Sequence, residues 1–258
     1  MKIFYYYHIS KTGGTSIVNF FKYIIENVPN CILYDYNDWN KLTPNQKDIN
    51  FDVILNDDNI KKYDYIFIHH HHGYHGLMHY KNLLIKRKKE LKTNGHDLKI
   101  FTTIRDIVSF NNSRINYLIN EGIWRGNINN FLTDNIHYNI QTKYLFFCWH
   151  GEWPSSKGLG PINIDIVNNE ISEKNIDTLS ETINLFIEIS NLTTFLKTFS
   201  EHFNVTYNYN IKSNTSSHTI NFNSNITQLL NNNKLDCYLL KKYSNNNNFD
   251  NEVYKFLQ

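Results

Sequence analysis

The sequence predicts an α/β protein of three layers, a central and mainly parallel sheet with helices on both faces. Two observations carry this. Short runs rich in β-formers recur along the first two hundred residues, and each of the main ones is followed by a loop and then by apolar residues at helical spacing. That strand–loop–helix rhythm closes a parallel sheet, because parallel strands need a crossover and the crossover helices cover the faces.

Taken in order, Lys2-Ile3-Phe4-Tyr5-Tyr6-Tyr7 reads as a buried strand, and Thr15 to Ile25 as the first helix. Cys31-Ile32-Leu33-Tyr34 is a second short strand, and residues 35–62 a polar loop with a short helix after Thr43-Pro44. Tyr63 to His69 is a core strand that ends in a polar cluster from His69 to His75. Residues 77–93 form a helix with Leu83, Leu84 and Leu91 inward and Lys86-Arg87-Lys88-Lys89 as a solvated face, stopped at Asn94-Gly95. Leu98 to Ile104 is the clearest strand of the middle section, followed by Arg105-Asp106 and a helix over 107–120. A helix is expected over 128–149, then an irregular Gly- and Pro-rich stretch from Gly151 to Pro161, a surface excursion or a loop on the substrate side. A helix over 173–182, a strand at Leu185-Phe186-Ile187-Glu188 and a helix over 191–203 follow. Residues 204–225 are Asn-, Ser- and Thr-rich, and two weaker helical patterns, 226–243 and 249–257, flank Asn245-Asn246-Asn247-Asn248. The whole, 1–258, reads as one domain, with 204–258 as a C-terminal extension.

The net charge of +2 is too mild for a nucleic-acid surface but leaves room for a basic pocket around a small anion. No apolar run approaches membrane-spanning length, and the chain enters a strand at once, so a cytoplasmic protein without a membrane span is expected. Cys31, Cys148 and Cys237 are three and far apart, which suits free thiols in a reducing compartment and no zinc spacing.

Three clusters fall at the carboxyl ends of predicted parallel strands, where open α/β sheets hold ligands. In His8-Ile9-Ser10-Lys11-Thr12-Gly13-Gly14-Thr15-Ser16, two glycines, a Lys and several hydroxyls sit between strand and helix, the composition of an anion cradle. The Lys precedes the glycines, so this is not the nucleotide-triphosphatase loop, which closes on Gly-Lys-Ser/Thr. A plain capped turn is the alternative. Arg105 and Ser113 stand eight residues apart, so a strand-end guanidinium and a hydroxyl two turns along the helix can grip one anion; a local Arg105–Asp106 pair and cap is the alternative. In His69-His70-His71-His72-Gly73-Tyr74-His75-Gly76, alternate residues of an extended segment share a side, so His70 and His72 are expected to point together into a pocket. A neutral imidazole there is suited to proton removal from a hydroxyl. Strand-end packing and metal binding are the other readings, the second without the His-Glu-x-x-His spacing.

These residues carry a resemblance. The Lys11 loop resembles the 5′-phosphosulfate loop of sulfotransferases, in the carbohydrate group that includes heparan sulfate 2-O-sulfotransferase, with Ser10 where that family has Pro. Arg105, Asp106 and Ser113 match its Arg-Asp-Pro…Ser signature for the 3′-phosphate, with Ile107 in place of Pro. His70-His71-His72-Gly73-Tyr74 is similar to its His-x-His element, and Asn139-Ile140-Gln141-Thr142-Lys143-Tyr144-Leu145 to a later helix, with Lys143 for Arg. The resemblance implies a P-loop-like fold and an enzyme that moves a sulfuryl group from 3′-phosphoadenosine 5′-phosphosulfate to a hydroxyl, of a glycan by family expectation. It implies donor binding by Lys11, Thr12, Gly13, Gly14, Thr15, Ser16, Arg105 and Ser113, leaving adenosine 3′,5′-bisphosphate as product. It implies His72 as the base, His70 as its orienting partner or a contact to the acceptor, Lys11 at the breaking bond, and no metal. Tyr74, Trp124, Trp149 and Trp153 are candidates for stacking on a sugar, each with packing as the alternative. The rival functions are a P-loop-type nucleotide kinase dependent on ATP and magnesium, and a non-catalytic glycan- or nucleotide-binding relative.

Overall fold

The structure is a computed structural model that describes residues 1–36, 50–71, 76–122, 124–134, 137–146, 171–208, 222–244 and 249–258. The chain runs through β1 (Lys2–Tyr7), α1 (Gly14–Asn27), β2 (Cys31–Tyr36), two short helices α2 (Phe51–Ile54) and α3 (Asp57–Lys62), and β3 (Tyr65–His70). A 3-10 turn at Leu77–Tyr80 enters α4 (Lys81–Thr93), followed by β4 (Asp97–Ile104) and α5 (Ile107–Asn120). Then come α6 (Ile128–Thr133), α7 (Ile140–Phe146), α8 (Glu173–Asp177), β5 (Leu185–Glu188) and α9 (Leu192–His202). The last elements are α10 (Ile226–Asn232), α11 (Lys234–Tyr243) and α12 (Phe249–Leu257). The helix expected after Thr43-Pro44 and the stretch from Gly151 to Pro161 lie outside the described residues.

The five strands pair in the order β2-β3-β1-β4-β5, every pairing parallel. β1 is central, and Ile3, Phe4, Tyr5 and Tyr6 are all fully buried, as a strand covered on both faces requires. The strand period of two splits the core. Phe4 and Tyr6 face one layer with Phe20 and Phe21 of α1, Phe195 and Phe199 of α9 and Phe256 of α12. Ile3, Tyr5 and Tyr7 face the other, with Leu84 and Leu91 of α4 and Tyr144 and Leu145 of α7. The arrangement is therefore the three-layer α/β fold that the strand–loop–helix rhythm predicts. The three buried tyrosines need partners for their hydroxyls. Tyr5 pairs with His70 Nδ1 at 2.8 Å, Tyr6 with Thr103 Oγ1 at 2.7 Å, and the Tyr7 hydroxyl donates to the Tyr144 carbonyl at 2.6 Å.

Two expected helices are divided. Over 128–149 the described residues hold α6 and α7, with Asn139 in the left-handed region (φ 52°) just before α7. The pattern over 226–243 breaks at Asn233 between α10 and α11. The two breaks meet: Asn233 Oδ1 accepts from the Asn139 amide at 2.8 Å, and Asn139 Oδ1 accepts from Leu235 N at 2.9 Å. Asparagine side chains that bond backbone favour caps over helix interiors, and here each caps the other's helix. The last helix, α12, joins the core beneath β1, with Phe249, Val253, Phe256 and Leu257 buried.

The sheet order has a functional consequence. From β1 the chain turns to one side to make β3 and β2, then crosses to make β4 and β5 on the other. The carboxyl ends of β1 and β4 flank this reversal, where α/β sheets open a crevice.

Candidate functional site

Residues 8–13 leave β1 and enter α1 through two left-handed positions, Lys11 (φ 64°) and Gly13 (φ 87°). Gly13 is the N-cap of α1 and supplies no side-chain cap; Ser16 N donates to the Gly13 carbonyl at 3.1 Å, which leaves the Gly14 and Thr15 amides for an external acceptor. The glycines are sterically required. A Cβ on Gly13 would lie 2.9 Å from Leu192 Cδ2, and one on Gly14 would lie 2.0 Å from His8 Nε2. Thr12 points inward: it is fully buried, donates to the Ile9 carbonyl at 2.6 Å and pairs with Thr103 Oγ1 at 2.7 Å. Its side chain pins the loop to β4.

Arg105 follows β4 and faces the same space. Its Nη1 donates to the Lys11 carbonyl at 3.2 Å, tying the two loops together, and its Nε is buried without a protein partner. Asp106 caps α5, its Oδ1 accepting from Ser109 N at 2.9 Å, which sets the helix that carries Ser113 and Tyr117. The Arg105 backbone is clasped by one amide side chain. Gln141 Oε1 accepts from Arg105 N at 2.8 Å, and Gln141 Nε2 donates to the Arg105 carbonyl at 2.7 Å. Gln141 is held in turn by Asp236, whose carboxylate accepts from Gln141 N at 3.1 Å and Thr142 N at 2.7 Å. Burial raises the Asp236 pKa, while those bonds from the start of α7 oppose the rise.

The Lys11 loop, Arg105 and Ser113 open onto one cavity of about 390 Å³. Ser10, Gly13, Gly14, Thr15 and Ser16 form one wall, Arg105, Ser113 and Tyr117 another, and Ile189 and Leu192 an apolar end. The Lys11 ammonium lies 4.2 Å from the centre of the Tyr117 ring. Burial first, and the Arg105 charge second, lower the Lys11 pKa. Two cations and the first amides of α1 thus share one space, an arrangement suited to an anion.

The histidines sort by strand parity. In register, Tyr6 stands opposite His69 and Tyr7 opposite His70. His70 therefore points to the layer of Tyr5 and Tyr7, where it is fully buried and meets the Tyr5 hydroxyl. It does not line the cavity; the expectation that it faces the pocket meets the pleat of β3, which turns His69 and His71 to the cavity side. His71 lines the cavity, its Nδ1 donating to the His8 carbonyl at 3.0 Å, and its ring stacks on His8 at 3.8 Å. His72, Tyr74 and His75 lie outside the described residues, as do Trp149 and Trp153. Trp124 packs edge-on against Phe131, 5.7 Å between ring centres, away from the cavity lining.

Of the residues singled out in the sequence, the structure thus gathers Lys11, Gly13, Gly14, Thr15, Ser16, Arg105 and Ser113, and sends the side chains of Thr12 and His70 elsewhere. His8, His71, Tyr117 and Gln141 were not singled out for the site. Tyr117 was within reach, since it stands one turn beyond Ser113 on the same helix face. Among the described residues no group of three or more His, Cys, Asp and Glu is placed to hold a metal ion, and no helix is long and apolar enough to cross a membrane. No protein-family model matches the chain, and neither a curated protein nor a solved structure matches it.

Proposed function

We propose that this chain is a sulfotransferase that moves a sulfuryl group from 3′-phosphoadenosine 5′-phosphosulfate to a hydroxyl, of a glycan by the resemblance of its motifs. One observation carries the reading: the Lys11 loop and the Arg105–Ser113 pair, separated by more than ninety residues of sequence, line a single cavity. Two anion grips around one space fit a nucleotide with phosphate groups at two positions. A volume of about 390 Å³ falls in the range of small-molecule sites. The uncapped start of α1 and the buried Nε of Arg105 are donors that such a ligand would satisfy.

In this reading the amides of Gly14 and Thr15, with the hydroxyls of Thr15 and Ser16, take the 5′-phosphate at the positive end of α1. Arg105 and Ser113 take the 3′-phosphate. The bond from sulfur to the bridging oxygen breaks as the bond to the acceptor oxygen forms, and Lys11 neutralises the charge left on the bridging oxygen. The acceptor's proton goes to an imidazole at the cavity wall, where His8 and His71 stand among the described residues. In His71 the Nδ1 hydrogen donates to the His8 carbonyl, so a neutral ring has its lone pair on Nε2.

The test is a thermal-shift comparison of adenosine 3′,5′-bisphosphate with ATP plus magnesium. At 100 times its Kd the bisphosphate should add about 2.7 kcal/mol of stability. Stabilisation by ATP and magnesium alone would replace this reading with a kinase.

A further inference from the structure

The loop and Arg105 leave unexplained a row of charged and polar rings beside the cavity. Asp35, on edge strand β2, has Oδ1 2.7 Å from His69 Nδ1. His69 Nε2 lies 3.1 Å from His8 Nδ1. The far side of the His8 ring rests on Gly14 at the start of α1, and His8 lines the cavity. A carboxylate at the sheet edge is thus joined through two imidazoles to the wall of the anion site. The strand pleat builds the chain: Asp35 and His69 are register partners, and His69 shares its face with Tyr6, whose ring stacks on His69 at 5.7 Å and on His8 at 5.5 Å.

Hydrogen-bond logic fixes the protons. A carboxylate only accepts, so His69 Nδ1 carries the hydrogen. His69 is buried and its pKa is lowered, by burial first and against the pull of Asp35, so the ring is neutral at pH 7 and its Nε2 is an acceptor. His8 Nδ1 must then donate, and in the neutral ring His8 Nε2, beside Gly14, is the acceptor. We propose that Asp35 is a positioning residue that, through His69, holds His8 with its proton on Nδ1 and its Nε2 ready to take a proton at the cavity wall.

A proton taken at His8 Nε2 has somewhere to go. His8 passes its Nδ1 proton to His69 Nε2 along the 3.1 Å contact, and the resulting His69 imidazolium is neutralised by Asp35. The charges facing this chain divide by side. Lys22 of α1, 3.9 Å from Asp35, opposes a proton on His69; Lys11 and Arg105 line the cavity that His8 lines, and His71 stacks on His8. Tyr6 stays neutral, since burial raises its pKa. The use of this chain in turnover rests on the sulfotransferase reading, whereas the proton positions do not.

They are read by long-range ¹H–¹⁵N correlation of the imidazoles in the unliganded protein at pH 7.5, for the wild type and Asp35→Leu. The wild type should show His69 and His8 both protonated at Nδ1 alone. Removing the acceptor with Asp35→Leu should move both rings toward mixed tautomers. A wild-type His8 protonated at Nε2 overturns the proposal even if the variant fails to fold, and a folded Asp35→Leu with both rings unchanged overturns it too. Where turnover is measurable, Asp35→Leu should lower kcat roughly 10- to 100-fold with little change in donor KM. Absence of any transfer by the wild type would remove the sulfotransferase reading and leave the tautomer result standing.

Discussion

Lys11 is the residue on which the site turns, and its backbone records the fact. A non-glycine residue at φ 64° pays a steric cost that any L side chain shares, of the order of 1 to 2 kcal/mol. The cost persists because this turn aims the ammonium across the cavity to Tyr117 while the Lys11 carbonyl accepts from Arg105. Side chain and backbone are separable by substitution. Lys11→Ala and Lys11→Gly should both lower turnover by at least ~10²-fold, the usual loss for one contact to developing charge. They should differ in stability, with Lys11→Gly the more stable by about 1 kcal/mol, because only glycine relieves the left-handed turn. Urea unfolding of the pair measures this; equal midpoints would mean that the turn carries no strain. The importance of Lys11 was legible from its place before two glycines, but not its conformation. The histidines show the opposite limit. Four consecutive residues of one type carry no parity, and only the pairing of Tyr7 with His70 tells which of them face the cavity.

At the scale of elements, the first strand, loop and helix were legible because their signals are local: an apolar run, a Gly-Gly turn and apolar residues at helical spacing. The break between α6 and α7 was not. It is made by Asn233 and Asp236, about ninety-five residues away, which cap α7 from α11. No window of the sequence contains both partners. That remote cap has a purpose at the site, since α7 begins with the residue that clasps Arg105. Gln141 is fully buried and satisfies both backbone groups of Arg105, so Gln141→Leu leaves a half-buried N–H and C=O without that partner. The expected cost is about 1–3 kcal/mol, a melting temperature lower by several degrees. The guanidinium then loses its fixed origin, and affinity for adenosine 3′,5′-bisphosphate should fall about tenfold by calorimetry, although Gln141 does not line the cavity. An unchanged affinity would show that the clasp serves stability alone.

Two buried imidazoles, His69 and His137, are held in the neutral form, and this makes stability depend on pH in a predictable direction. His137 is buried, stacks on Phe131 with 4.0 Å between ring centres, and accepts from Arg114 at 2.9 Å. Burial, then the Arg114 and Lys143 charges, push its pKa down to about 2. His69 is lowered as well, chiefly by burial. The unfolded chain takes up these protons near pH 6.5 and the folded one does not. The native state therefore binds fewer protons, so the contribution of each imidazole is complete above about pH 6.5 and is lost as pH falls below it. For His137 the loss continues to pH 2, at up to about 1.4 kcal/mol per pH unit. Carboxylates add their own acid sensitivity, so the informative quantity is a difference between proteins. His137→Leu keeps an apolar group against Phe131 but removes the titrating ring and the acceptor for Arg114. It should be less stable than the wild type at pH 8, where Arg114 loses a bond, and should lose stability less steeply between pH 6.5 and 4.5. Urea midpoints for both proteins at pH 8, 6.5, 5.5 and 4.5 decide the matter. Parallel curves would mean that His137 is protonated in the folded protein, which the Arg114 guanidinium beside its Nδ1 opposes.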